Sequence, residues 1–141
     1  MAKNILVPLD GSEKAYDALA YAVDNHPEAE ITVLHVLEMT DSAAAEGSVI
    51  TMDEQIHDAA EGRAEEIFAE ATELAAERGY DGELSTTVED GTAKRVIVEH
   101  AADFDAVAMG SYGPEGIGQK VLGSVAETVV RRSPVPVIVV K

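Results

Sequence analysis

The stretch that decides the fold is MGSYGPEGIGQKVLGSV, Met109 to Val125. An apolar run, DAVAM from Asp105 to Met109, stops at Gly110. A loop carrying Gly113, Gly116 and Gly118 follows, and helical patterning resumes at Leu122, Gly123 and Ser124. This reads as a strand, a glycine loop and the start of a helix. Glycine lets a backbone turn at positive φ and approach a ligand closely, and the unpaired N–H groups of a helix N-terminus attract anions. A phosphate suits such a place. The plainer reading, a surface loop whose glycines serve turn geometry alone, stands beside it at this point.

Outward from that stretch the chain alternates. Downstream, Val125, Val129 and Val130 lie on a helix that ends before Ser133-Pro134, and Pro136 to Val140 (PVIVV) is a last strand. Upstream, Asp90-Gly91-Thr92 opens a short helix with Val96, Ile97 and Ala101 inward, preceded by a more exposed strand, Glu83 to Val88 (ELSTTV). The longest helix runs from Asp53 with Ile56, Ala60, Ile67, Ala71 and Leu74 on one face, and ends at Gly79. Residues Glu38 to Met52 show no periodicity and read as a long loop.

At the start of the chain, Asn4 to Leu9 (NILVPL) is nearly continuously apolar, as a strand covered on both faces is, and Asp10-Gly11-Ser12 turns out of it. Ser12 caps a helix that carries Ala15, Ala18, Leu19, Ala22 and Val23 to a stop at His26-Pro27. The β-branched run Ile31 to Leu37 (ITVLHVL) is the second buried strand. Within it, His35 reads as a satisfied core or edge histidine rather than a catalyst.

Strict alternation of five strands and four helices builds an α/β fold, an open five-stranded parallel sheet with helices on both faces. The doubly wound order 3-2-1-4-5 puts the switch point between the first and fourth strands, and ligands bind there at the carboxyl ends. Those ends are Pro8, Leu9 and Asp10 on one strand and Met109 and Gly110 on the other. Topology therefore brings the first Asp and the glycine loop into one crevice, independently of any motif. Asp10 also suits a simpler role, starting a turn or capping the first helix.

With 141 residues, 46% of them hydrophobic, the chain 1–141 suits a single domain with a real core. It has no cysteine, so disulfides and thiolate metal sites are excluded, and its four His show no ligand spacing. The apolar run near the N-terminus is too short for a signal peptide or a membrane span, which predicts a cytoplasmic protein. Against 27 acidic residues stand 10 basic ones, a formal net charge of −17. Such a surface repels nucleic acid and anionic membranes. The acids are spread over every predicted helix, which points to a halophilic protein, adapted to molar salt where a Debye length of about 3 Å screens self-repulsion.

The common catalytic and nucleotide motifs fail when tested against the loop. Walker A requires GxxxxGK[ST], but Gly118 is followed by Gln119 and Lys120 comes one place late. The dinucleotide fingerprint GxGxxG breaks at Val121, and there is no GxSxG elbow or HxGH motif. No acid/base pair claims a catalytic role from the sequence.

What the loop does carry is the spacing Gly110, two residues, Gly113, nine residues, Gly123-Ser124. This resembles the GxxGx9G[ST] motif of the universal stress protein family, and the resemblance extends to ILVPLDGS, LHV, DAVAMGSYG, LGSVAETVV and SPVPVIVVK. The fold that it implies is Rossmann-like, similar to the adenine nucleotide alpha hydrolases. For ATP-binding members it implies that Asp10 and Gly110 meet the ribose and that the main chain of Val36 reads adenine. It also implies that Gly113, Gly123, Ser124 and the Val125 N–H wrap the triphosphate. The implied ligand is ATP, or AMP or ADP, with Mg or Mn held through the phosphates rather than by protein ligands. The family pattern departs at Tyr112 and Pro114, where basic residues are common, with acidic Glu115 following, and this leaves Lys120 or the metal to supply positive charge. Tyr112 reads either as a stacking platform or as a cover for the loop.

The function expected is ATP-binding regulation in a stress response. Two other classes stand against it: a slow ATPase or phosphotransferase, with Asp10 as its one candidate base, and a dimeric scaffold without nucleotide. The apolar edge strand Pro136 to Val140 has to be covered, and the resemblance implies a homodimer pairing there.

Overall fold

A computed structural model describes residues 3–38, 50–111 and 122–141, and for 50–58 the backbone alone. The elements alternate: β1 (Asn4–Pro8), α1 (Glu13–Asn25), β2 (Glu30–Leu37), α2 (Ile50–Glu77), β3 (Ser85–Asp90), α3 (Ala93–Ala101), β4 (Ala106–Gly110), α4 (Ser124–Arg132) and β5 (Val137–Val140). All strand pairs are parallel, in the order β3-β2-β1-β4-β5. That is the doubly wound order expected from the alternation.

The two-residue period of β1 divides the core. Ile5 and Val7 face α1 and α2, where they pack with Leu19, Val23, Ile67 and Ala71; Leu6 faces α3 and α4, with Ile97, Val107 and Val129. Each of Ile5, Leu6 and Leu19 is at most 1% exposed, a burial that stabilises by about 1.5–3 kcal/mol per side chain. β1 is paired on both sides, Ile5 lying opposite Ile31 on β2 and Ala106 on β4. Its carboxyl end is therefore fixed in the middle of the sheet.

Helix α1 follows its sequence signals: the Ser12 hydroxyl accepts from the Ala15 N–H at 3.3 Å, and His26, just before Pro27, closes the end. Its far end is tied to α2 by Arg78, which donates from Nη2 to Asp24 Oδ2 at 2.6 Å. The hydrogen bond from Arg78 holds the Asp24 carboxyl below the usual range.

Three expectations shift. β3 lies two residues later than Glu83 to Val88, because an edge strand with mostly exposed side chains has no buried face to mark its register. α2 begins at Ile50 rather than Asp53, taking in the end of the expected loop, and the stretch 39–49 lies outside the described residues. On α4, Val129 is buried but Val130 is 46% exposed.

Candidate functional site

The carboxyl end of β1 is bolted to that of β2. The Leu9 N–H donates to the Leu34 carbonyl at 2.8 Å, and the Leu9 carbonyl lies 2.7 Å from His35 Nδ1. A carbonyl only accepts, so the proton sits on Nδ1 and the ring is spent on holding the β1 exit in place. His35, 9% exposed, is thus a satisfied histidine that positions the wall of a site.

The chain then turns at Asp10-Gly11-Ser12. Asp10 Oδ1 accepts from the Ser12 N–H at 2.9 Å, so the turn-forming role is present. Gly11 sits at φ +88°, and the Arg63 guanidinium of α2 lies where a side chain on Gly11 would go. Beside it, Tyr16 is half-buried, with its hydroxyl out of reach of solvent. Burial first, and the Glu70 carboxylate second, push that hydroxyl well above the ordinary tyrosine range.

Gly110, at the end of β4, has a constraint of its own. A Cβ there would stand 2.8 Å from the Lys14 main chain, so glycine is what lets α1 pack across the strand end. The next residue, Ser111, donates its N–H to Val140 and accepts through its carbonyl from the Gly123 N–H, at 2.9 and 2.8 Å. Those two bonds fix both described flanks of the glycine loop. The loop itself, with Tyr112, Gly113, Pro114, Glu115 and Lys120, lies outside the described residues.

Gly123 is the N-cap of α4 and, lacking a side chain, contributes no cap. Its backbone is at φ −63° and ψ 159°, which any residue adopts. The first intrahelical bond runs from Glu127 N–H to the Gly123 carbonyl, so the amides of Ser124, Val125 and Ala126 precede the ladder and meet no acceptor among the described residues. On the same face of the sheet, α3 is finished differently. Its N-cap Thr92 makes no side-chain bond, and Glu38, just past β2, reaches over to accept from the Ala93 N–H at 2.7 Å.

These ends enclose a cavity of about 460 Å³. Pro8, Leu9 and Asp10 line it from β1 and its exit, Val36 from β2, and Met109 and Gly110 from β4; Gly123, Ser124 and Val125 close the far side. Every sequence-derived site position among the described residues is brought together here. The wall also includes Ser12, Ala15, Ile97 and Ala126, which no sequence motif marks, and with them His35 and Glu38. A usable signal existed for the last two, since both stand at the carboxyl end of a central strand.

Among the described lining residues, Asp10 and Glu38 are acidic and none is Lys or Arg. Positive potential on those walls comes from the α4 amides. Among the described residues no three His, Asp or Glu side chains gather to hold a metal ion, and no helix is long and apolar enough to cross a membrane.

A doubly wound parallel sheet with a cavity at its switch point and an uncapped helix end in the wall defines a protein of the Rossmann-like class. A model of the Universal stress protein family matches residues 1–141, and the chain belongs to that family. Stress response protein NhaX of Bacillus subtilis (strain 168) is 32% identical over 165 residues, covering 99% of this chain and 98% of its own. The structure of universal stress protein UspA from Lactobacillus plantarum superposes with a TM-score of 0.80 at 25% identity, over 99% of this chain and 97% of that one. The hypothetical protein MJ0577 superposes at 0.82 with 28% identity, over 100% and 96% of the two chains.

Proposed function

We propose that this chain is an adenine-nucleotide-binding regulatory protein of the stress response, working in the cytoplasm and holding ATP, ADP or AMP in the crevice between β1 and β4. The observation that carries the reading is the cavity itself. Its volume lies in the usual range for small-ligand sites, and its walls are mostly apolar with a few convergent polar groups. Two universal stress proteins of this fold were solved in complex with cAMP and with dAMP, at 21% and 22% identity to this chain.

In this reading the phosphates meet the amides of Ser124 and Val125 and the Ser124 hydroxyl, where α4 has no cap of its own. The ribose lies between Asp10 and Gly110, and the base enters toward Val36. Gly113 and Tyr112 belong to the same site from the loop. The acidic walls fit a nucleotide that arrives with Mg or Mn, because a divalent ion on the phosphates offsets their charge beside Asp10. The protein side of the complex is positioning: His35 fixes Leu9, and Ser111 fixes the start of the loop relative to α4.

The same reading includes a homodimer through Pro136 to Val140. β5 is an edge strand of four apolar residues, all only half-buried, and an open edge of that kind needs a partner. A monomer by light scattering at working salt contradicts this part alone. Adaptation to molar salt is proposed as well, on the net charge of −17; a melting temperature that fails to rise from low to molar KCl removes it.

The test of the crevice is calorimetric titration of MgATP into the protein in molar KCl, beside a variant with Gly123→Val and Ser124→Leu. The protein binds and the variant loses at least about a hundredfold, because the Ser124 hydroxyl is gone and the bulky side chains keep the phosphates from the helix-end amides, whose charge-assisted hydrogen bonds contribute about 1.5–3 kcal/mol each. Equal affinity in the two proteins refutes the reading.

A further inference from the structure

The two ends of the crevice differ in charge, and that difference orients a ligand. At one end the α4 amides meet no acceptor among the described residues; at the other the N-terminus of α3 already carries a carboxylate, Glu38 Oε1 on the Ala93 N–H at 2.7 Å. A phosphate is attracted to the first and repelled from the second. The uncharged end of a nucleotide is left facing Leu34, Val36, Ile97 and Glu38. Resting on the nucleotide reading above, we propose that the Glu38 carboxylate reads the base, selecting a purine with a 6-amino group over one with a 6-oxo group.

Three observations carry this. Glu38 lines the cavity as an exposed side chain just past the end of β2. It is also held in place: the bond to Ala93 spans 55 residues of sequence and replaces the cap that Thr92 does not make. Finally, a carboxylate offers acceptors only, with about four lone-pair sites, so one bond to Ala93 leaves capacity for a further donor. An exocyclic amine supplies that donor. A carbonyl oxygen at the same place sets lone pairs against negative charge and strands a polar group without a partner.

The experiment compares MgATP with MgITP, which differ at that group, against the protein and Glu38→Gln in molar KCl. The amide oxygen of Gln can still accept from Ala93, and a melting curve checks that the fold is kept. The protein favours MgATP by about tenfold to a hundredfold, and in Glu38→Gln the ratio falls to within about threefold. A ratio near one in the unaltered protein overturns the proposal. So does a variant that loses affinity for both nucleotides in equal proportion, which is the mark of a purely structural cap. If neither nucleotide binds the unaltered protein, the nucleotide reading itself falls, and this assignment falls with it.

Discussion

Helices α3 and α4 are each nine residues long, pack on the same face of the sheet and point their N-termini at one cavity, yet they are finished in opposite ways. Neither N-cap residue makes a side-chain hydrogen bond. For α3 the missing acceptor arrives from just past β2 as Glu38; for α4, Gly123 brings none and no acceptor from another element replaces it among the described residues. A helix end left buried without acceptors is costly, so fold stability alone favours capping both. In the proposed reading the difference teaches that one end serves the fold while the other stays open to a phosphate.

The strongest way to break this comparison is to lift the strand that feeds α4. Gly110→Ala puts a methyl group 2.8 Å from the Lys14 main chain, which cannot yield as a flexible side chain would. Loss of about 1–3 kcal/mol in urea unfolding is expected, with weakened nucleotide binding at a given temperature. Next, Gly123→Asp gives α4 the carboxylate that α3 already has. Affinity for MgATP falls by about tenfold or more while the melting temperature holds or rises slightly, because a cap favours the helix and repels the phosphate. A variant that binds as before equates the two helix ends and removes the distinction.

Smaller changes sharpen it from the other side. Glu38→Ala uncaps α3 and lowers stability by about 1 kcal/mol, a fall of about 2–5 °C in melting temperature. Adding Thr92→Asp to that variant supplies a local cap and restores part of the loss, up to about 0.5 kcal/mol. No recovery would show that Glu38 works through something other than the α3 amides.

The parts of this molecule visible in its sequence are those set by neighbours along the chain. Alternating apolar runs and helical stripes placed the elements, and the DAVAM run followed by glycines located the β4 end of the crevice before any contact was known. What stayed hidden depends on partners far away in sequence. The bond from His35 to Leu9 spans 26 residues and that from Glu38 to Ala93 spans 55, and neither has a local pattern to announce it. Gly110 was legible as a glycine that faces the crevice, but not the second reason for it: a Cβ there would meet the Lys14 main chain. β3 slipped because its exposed residues carry almost no burial signal, whereas β1, buried on both faces, could be read directly.

The most direct test of the account follows the amide resonances of Ser124, Val125, Ala126 and Ala93 in isotope-labelled protein as MgATP and then adenosine are added. With MgATP the three α4 amides shift strongly and Ala93 moves little; with adenosine, which lacks phosphate, the α4 amides stay near their starting positions. If the α4 amides do not respond to MgATP, or respond equally to adenosine, the uncapped end of α4 is not the phosphate site and the account is wrong.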